Sequence, residues 1–225
     1  MKEYSETIPI QYAEGKTRFM GMDVLVDERV LIPRPETELL VSVVADLCRQ
    51  RSWSNIEIMD VGTGSGIVSL GIKKLIFESK VTAIDISENA INVALNNVEV
   101  LGFDGIRFIK SDMFSGLGKE HLCRYNCIVS NPPYVSAHDY DKLDAWVKAE
   151  PKIALYGGQY GMDYINILAE RSLEFIVRGG FLAIEIGYDQ TAKTKEKLEE
   201  CGFVGVKSFK DFNEYERVVV GWKNG

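Results

Sequence analysis

Short apolar runs alternate with amphipathic segments along most of this 225-residue chain. The runs at 56–61, 80–86, 106–109, 127–129 and 181–186 are rich in Ile and Val, which is typical of strands buried in a parallel sheet. Between them, apolar residues recur every three or four positions, which predicts amphipathic helices. Alternating strands and helices predict an α/β fold, in which helices cover both faces of an open, mostly parallel sheet.

The end of the chain predicts a change of strand direction. Two apolar runs, 203–209 and 215–222, are separated by only five residues, 210–214. A link this short joins antiparallel strands, since a parallel crossover needs a dozen residues or more. Helices are predicted at 161–177 and 191–201. The whole pattern predicts a Rossmann-like, seven-stranded, mostly parallel sheet with an antiparallel last strand.

The N-terminal part has a different pattern. Apolar residues at 24–26 and 30–32, with the acidic pair Asp27-Glu28 between them, predict a β-hairpin. We therefore divide the chain into an N-terminal segment with a β-hairpin, residues 1–32, and a main domain, residues 33–225.

A glycine-rich loop follows the strand at 56–61 and precedes a helix. It consists of Gly62, Thr63, Gly64, Ser65 and Gly66. Glycines let a backbone approach a ligand, and a helix N-terminus offers free N–H groups. Asp85 ends the next strand about 20 residues on, where an acid holds ribose hydroxyls.

The loop alone fits a nicotinamide dehydrogenase as well as a methyltransferase. Three features favour S-adenosylmethionine. Asp60 precedes the loop, where an anion suits an ammonium better than a pyrophosphate. The glycines are spaced G-x-G-x-G instead of G-x-G-x-x-G. The third feature is the antiparallel pair that closes the chain.

A second candidate loop, Asn131-Pro132-Pro133-Tyr134, follows the run at 127–129. It could be a simple turn after a strand. However, two prolines make a rigid backbone, and the Asn amide and a carbonyl oxygen can accept hydrogen bonds from an NH₂ group. Fixed acceptors would aim its poorly nucleophilic nitrogen at an electrophile. If the strands at 56–61 and 127–129 are neighbours where the strand order reverses, both loops meet in one site.

The sequence resembles the HemK/PrmC family of S-adenosylmethionine-dependent protein-glutamine methyltransferases over roughly residues 9–223. The motifs that carry the resemblance are Pro33-Arg34-Pro35-Glu36-Thr37-Glu38, Asp60-Val61-Gly62-Thr63-Gly64-Ser65-Gly66, Ser111-Asp112, Asn131-Pro132-Pro133-Tyr134, Glu150-Pro151, Gly179-Gly180-Phe181 and Asn213-Glu214-Tyr215-Glu216-Arg217-Val218. Family members methylate the glutamine of the Gly-Gly-Gln motif in peptide chain release factors. They usually carry a helical N-terminal domain, whereas the match here begins near residue 9.

The resemblance implies roles for several residues. The glycine loop wraps the methionine part of S-adenosylmethionine, Asp85 holds the ribose hydroxyls, and Asp112 and Met113 border the adenine. Asn131 and the Pro132 carbonyl bind the substrate NH₂, and Tyr134 packs on the amide. The products are a methylated glutamine and S-adenosylhomocysteine, and the partner is a release factor.

Other functions stay open at this stage. A related enzyme could methylate a glutamine of a ribosomal protein, and Asn-Pro-Pro-Tyr also occurs in enzymes that methylate the adenine amino group of nucleic acids. A module that binds S-adenosylmethionine without catalysis is a further alternative. The net charge of −7 counts against a broad nucleic-acid-binding face, so we expect no direct DNA binding.

Composition also bears on the compartment. The chain has no run of 18 apolar residues and no leader pattern, so we expect a cytoplasmic protein without a membrane contact. Four cysteines, Cys48, Cys123, Cys127 and Cys201, are expected to be reduced. His121 lies near two of them, but without a second ligand pair we expect no metal site.

The long stretch 135–160 is predicted to be an irregular connection. It contains Gly157-Gly158-Gln159, which mimics the substrate motif of the family, and we interpret this as a coincidence.

Overall fold

The computed structural model describes residues 8–51 and 53–225. The helices are α1 (Ile10–Glu14), α2 (Thr37–Arg49), α3 (Ile67–Leu75), α4 (Glu88–Leu101), α5 (Ala137–Tyr140), α6 (Ala145–Lys148), α7 (Lys152–Leu155), α8 (Asp163–Phe175) and α9 (Thr191–Glu200). The strands are β1 (Lys16–Phe19), β2 (Met22–Leu25), β3 (Glu57–Val61), β4 (Lys80–Asp85), β5 (Ile106–Lys110), β6 (Tyr125–Ser130), β7 (Ile176–Glu185), β8 (Val204–Lys210) and β9 (Glu216–Trp222).

Seven strands form one sheet in the order β5-β4-β3-β6-β7-β9-β8. Each pair from β5 to β7 is parallel, whereas β9 is antiparallel to both β7 and β8. The predicted fold class is therefore confirmed, including the antiparallel last strand. From β3 the chain continues to β4 and β5 on one side, while β6 lies on the other. Because the strand order reverses here, the carboxyl ends of β3 and β6 lie side by side. The two candidate loops that follow these strands are therefore neighbours.

The sheet separates two apolar layers, because successive side chains of a strand point to opposite faces. On one face, Ile58, Cys127 and Phe181 pack against residues of α2 and α3. On the other, Met59, Ile128 and Leu182 pack against α8 and α9 residues such as Leu168 and Leu198. The central strands are buried on both faces, which explains their continuous apolar runs.

A hairpin is present in the N-terminal part, but not at the predicted residues. Its strands are β1 and β2, joined by Met20 and Gly21, which have φ angles of 47° and 74°. Two left-handed residues match the twist of a tight hairpin turn. The run at 30–32 is not a strand, since the Ile32 N–H donates to the Glu150 carboxylate instead of to a neighbouring strand.

Two other bounds differ from the prediction. The connection at 135–160 contains three single-turn helices, α5 to α7, and an isolated bridge between Val135 and Tyr156. Strand β7 begins at Ile176, five residues before the predicted start, and helix α8 correspondingly ends at Phe175. The sequence did not predict this extension because it contains Gly179 and Gly180, and glycines usually indicate a break in a strand.

No helix among residues 8–51 and 53–225 is long and apolar enough to cross a membrane. The predicted N-terminal segment partly lies outside the described residues, since 1–7 are not among them.

Candidate active site

A cavity opens at the carboxyl ends of β3, β4 and β6, with a volume of about 1040 Å³ when its open mouth is included. Most predicted site residues line it: Gly62, Thr63, Gly64, Ser65, Asp85, Asp112, Met113, Asn131, Pro132 and Pro133. Three predicted residues, Asp60, Gly66 and Tyr134, do not line it. The topology therefore brings both candidate loops to one cavity.

The glycine loop is fixed by its own backbone hydrogen bonds. The N–H groups of Gly62 and Thr63 both donate to the Ile84 carbonyl, at 2.9 and 3.0 Å. Gly66 immediately precedes α3 and has a φ of 84°, and a Cβ there would lie 3.0 Å from the Ala94 Cβ. Gly66 is thus required by close packing of α3 against α4, and not by the cavity.

Asp60 lies directly behind the loop and is only 1% exposed. Its Oδ2 accepts hydrogen bonds from Thr63 Oγ1 at 2.7 Å and Ser69 Oγ at 2.6 Å, while Oδ1 has no partner among the described residues. Burial raises the pKa of the Asp60 carboxyl to about 6, although the two hydroxyls lower it. In this structure Asp60 holds the loop and the start of α3 together.

Asp85 lies in the cavity wall and also supports both neighbouring loops. Its Oδ2 accepts a hydrogen bond from the Gly64 N–H, and its Oδ1 accepts one from the Ser87 N–H, both at 2.8 Å. Burial raises the pKa of the Asp85 carboxyl, and the backbone N–H groups oppose the shift. Each oxygen retains lone pairs that can accept hydroxyl donors.

Asn131 projects from the end of β6, next to the glycine loop. The Ser130 hydroxyl donates to the Val61 carbonyl at 2.7 Å, which joins the ends of β6 and β3. The Asn131 Nδ2 donates to Thr37 Oγ1 at 3.0 Å, and Thr37 also lines the cavity. Tyr134 packs against the core instead, and burial raises the pKa of its hydroxyl.

Arg34, which lies between Pro33 and Pro35, lines the cavity. It forms an ion pair with Glu150, whose side chain is fully buried. The Glu150 carboxylate also accepts the Ile32 N–H at 2.9 Å. This pair connects the segment before α2 to the long connection at 135–160, which contributes Pro151, Ile153 and Ala154 to the cavity wall.

The sequence analysis gave no role to Glu150, which pairs with Arg34, or to three polar residues around the second loop, Thr37, Glu185 and Gln190. Gln190 Nε2 donates to the carbonyls of Tyr134 and Gly161, both at 3.0 Å. Glu185 ends β7, is 1% exposed, and has no hydrogen-bond partner for either carboxylate oxygen among the described residues. Burial raises the pKa of the Glu185 carboxyl to about 7, and the neighbouring Thr37 hydroxyl lowers it. The signal was available, since Glu185 is the one charge in the run at 181–186.

Both glycines of Gly157-Gly158-Gln159 have a packing role. A Cβ on Gly157 would lie 2.5 Å from the Pro133 oxygen, and one on Gly158 would overlap the Asp163 carboxylate. These contacts explain the two glycines without reference to a substrate motif.

The family profile of the Methyltransferase small domain matches residues 35–159. A release factor glutamine methyltransferase from Koribacter versatilis is 40% identical over 217 residues, which cover 96% of this chain and 75% of that protein. The chain belongs to the release factor glutamine methyltransferase family. A second relative with the same name, from Fusobacterium nucleatum, is 36% identical over 96% of this chain, and the chain spans 60% of its length.

Solved structures of other methyltransferases have the same fold as this chain. A methyltransferase from Pyrococcus furiosus superposes with a TM-score of 0.67, covering 92% of this chain and 91% of that one. At 20% sequence identity this similarity bears on the fold alone.

Proposed function

We propose that this protein transfers the methyl group of S-adenosylmethionine to the side-chain amide nitrogen of a glutamine, in the Gly-Gly-Gln motif of a peptide chain release factor. The observation that carries the proposal is that the glycine loop and Asn131-Pro132-Pro133 line the same cavity. The family supplies the substrate, because the similar curated proteins are named for release factors.

The cavity suits S-adenosylmethionine in chemistry. Ligand pockets combine apolar walls with a few fixed polar groups, as this cavity does. Gly62 to Ser65 would hold the methionine part, Asp85 the ribose hydroxyls, and Asp112 and Met113 the adenine. When bound, S-adenosylmethionine supplies an electrophilic methyl group on its sulfonium.

The residues of the second loop would hold and orient the methyl acceptor. The Asn131 Oδ1 and the Pro132 carbonyl are acceptors that can receive the two hydrogens of a glutamine NH₂ group. Both are rigidly placed, since Pro132 and Pro133 restrict the backbone and Thr37 holds the Asn131 Nδ2. Such positioning turns the nitrogen lone pair toward the methyl group. No strong base is needed beforehand, because the nitrogen loses its proton readily after alkylation.

We also propose that Asp60 supports cofactor binding by holding the glycine loop from behind, and that the protein works in the cytoplasm. Release factors act on ribosomes there, and the four cysteines are unpaired thiols, as a reducing compartment favours.

The direct test is methyl transfer from labelled S-adenosylmethionine to a full-length release factor. A release factor with Gln→Ala in its Gly-Gly-Gln motif is the matched control, beside ribosomal proteins, DNA and RNA. We expect label on the unaltered release factor alone. Label on a ribosomal protein or on a nucleic acid instead would contradict the proposed substrate, and label on the Gln→Ala variant would contradict the proposed acceptor atom.

A further inference from the structure

The Asn131 amide has two ends with opposite hydrogen-bonding character. Its NH₂ end donates to Thr37 Oγ1 at 3.0 Å, which leaves the oxygen end free to accept a hydrogen bond. If the amide were reversed, its NH₂ would face the NH₂ of a substrate glutamine. Two donors cannot form a hydrogen bond, so the orientation of Asn131 decides whether the acceptor group is held.

Thr37 by itself does not settle that orientation. A threonine hydroxyl can accept a hydrogen bond from the amide NH₂ or donate one to the amide oxygen. The orientation becomes unique only if the hydroxyl proton is committed to another acceptor. Thr37 is fully buried, so that acceptor must come from the protein.

Glu185 is placed to be this acceptor. In the sheet, Ser130 at the end of β6 pairs with Ile184, so Asn131, just after β6, and Glu185, at the end of β7, follow paired residues of adjacent strands. The Glu185 carboxylate is buried near the Thr37 hydroxyl, and neither of its oxygens has a hydrogen-bond partner among the described residues. An unpartnered buried carboxylate is costly, so it gains most from a hydroxyl donor.

We propose that Thr37 and Glu185 together set the orientation of the Asn131 amide, so that its oxygen faces the methyl acceptor. Glu185 accepts the Thr37 hydroxyl proton, and the Thr37 oxygen then accepts from Asn131 Nδ2. Both are positioning residues that act through Asn131. The inference rests on the proposed function, because the proposed function supplies the substrate NH₂ group that Asn131 binds.

The arrangement depends on pH. Arg34 before α2 and Arg217 on β9 lower the pKa of Glu185, whereas burial and Glu36 raise it, and the Tyr134 hydroxyl also faces this carboxylate. Below about pH 7 Glu185 becomes protonated and can itself donate to Thr37. The Thr37 proton is then free for the Asn131 oxygen, and the reversed amide becomes possible.

The test compares two chemically identical substitutions at buried threonines. Thr37→Val is expected to lower kcat about 10- to 100-fold through loss of positioning, with the Kd for S-adenosylmethionine unchanged. Thr37→Ser restores the hydroxyl and should recover most of this loss. Thr194→Val removes a fully buried hydroxyl without a described partner on α9, outside the cavity wall, and should leave kcat unchanged. Equal kcat values in Thr37→Val and Thr194→Val would overturn the proposal.

The role of Glu185 is tested by the pH dependence of kcat. Glu185→Gln keeps an acceptor oxygen but cannot titrate, so its kcat relative to the unaltered protein should rise as pH falls from 8 to 6. If the ratio of the two kcat values stays constant over this range, Glu185 does not position Asn131.

A measurement without turnover separates this inference from the proposed function. In protein labelled with ¹⁵N-asparagine, the Asn131 side-chain NH₂ signal is assigned from its loss in Asn131→Asp. We expect slow hydrogen exchange of this NH₂ at pH 8, faster exchange in Thr37→Val, and slow exchange in Thr37→Ser. If the protein does not methylate a release factor but shows this pattern, the proposed substrate is wrong and the positioning holds. Equal exchange in all three proteins would overturn the positioning itself.

Discussion

Asn131 and Asp60 are both polar side chains at the carboxyl end of the central strands, but their surroundings differ. Asn131 lines the cavity and has one hydrogen bond, from its Nδ2 to Thr37. Asp60 lies behind the glycine loop and accepts two hydroxyl donors at one oxygen. Substitution of Asn131 should therefore affect turnover, whereas substitution of Asp60 should affect stability as a function of pH.

Asn131→Ala is expected to lower kcat about 10²–10³-fold, which is typical for the loss of one preorganised polar contact in an active site. The affinity for S-adenosylmethionine should change only a few-fold, because the other cavity residues remain. The measurements are steady-state methyl transfer and calorimetric titration with the cofactor. The exposed Asn224→Ala serves as the matched control. Parallel losses of affinity and kcat would show that Asn131 does not act on the acceptor.

Asp60→Asn is expected to change how stability depends on pH. The folded carboxyl has its pKa raised from 3.8 to about 6, so the folded protein keeps a proton that the unfolded chain has lost in this range. The contribution that this retained proton makes to the free energy of unfolding therefore falls as pH rises between the two pKa values. It is fully lost above about pH 6.

The variant lacks this group, so its stability relative to the unaltered protein should rise between pH 4 and pH 7. The expected gain is up to about 3 kcal/mol, since one pKa unit corresponds to about 1.4 kcal/mol. Urea unfolding at several pH values measures it. A difference that is constant with pH would mean that Asp60 titrates normally in the folded protein.

At the scale of the structural elements, the loop after β6 is held by contacts with two segments. These are the long connection at 135–160 and the residues that follow β7. The Gly157 N–H donates to the Val135 carbonyl at 2.9 Å, and Gln190 Nε2 donates to the Tyr134 carbonyl at 3.0 Å. The backbone of Gly157 lies so close that there is no room for a side chain against Pro133. The rigidity of the loop thus comes from packing as well as from its prolines.

Gly157→Ala should displace the Pro133-Tyr134 backbone, because the added Cβ would lie 2.5 Å from the Pro133 oxygen and 2.8 Å from the Tyr134 Cα. We expect kcat to fall about 100-fold, as misplacement of a catalytic group by about 1 Å can cause. Gly179→Ala is a suitable control, since it strains a residue with a φ of 73° but meets no backbone. It should lower the melting temperature and leave kcat unchanged. Full activity of Gly157→Ala would show that the loop tolerates the shift.

At the scale of the whole molecule, the N-terminal hairpin shares a core with the sheet. Phe19, Met22 and Val24 belong to the same apolar cluster as Leu40 and Ile58. In addition, the Leu25 N–H donates to Asn97 Oδ1 at 2.6 Å, and Asn97 Nδ2 donates back to the Leu25 carbonyl at 3.0 Å. The hairpin and the main domain are therefore expected to unfold together.

Phe19→Ala should destabilise the entire protein by about 3–5 kcal/mol, the usual cost of removing a buried phenylalanine. Phe19 is only 1% exposed, and Trp53, which stacks on Phe181, reports on the sheet by fluorescence. Fluorescence and circular dichroism should give one coincident transition at a lower midpoint. An unshifted fluorescence transition would mean that the hairpin unfolds independently.

The local patterns of the sequence predicted much of the fold because buried strands and helices need apolar residues at regular positions along the chain. Apolar runs such as 127–129 gave the parallel strands, and the short link at 210–214 gave the antiparallel one. The hairpin bounds were wrong because the turn lies at Met20 and Gly21. Met20 adopts a left-handed conformation that its residue type does not predict.

The sequence by itself determined the fold class, the two candidate loops and the family, since each depends on neighbours along the chain. Only the tertiary structure decided which polar groups meet around Asn131. Thr37, Glu185 and Gln190 come from three separate elements, and they reach the same loop only after the sheet has formed. Long-range contacts of this kind leave no periodic signal. Their partners follow from strand order and register, which arise from packing of the entire domain.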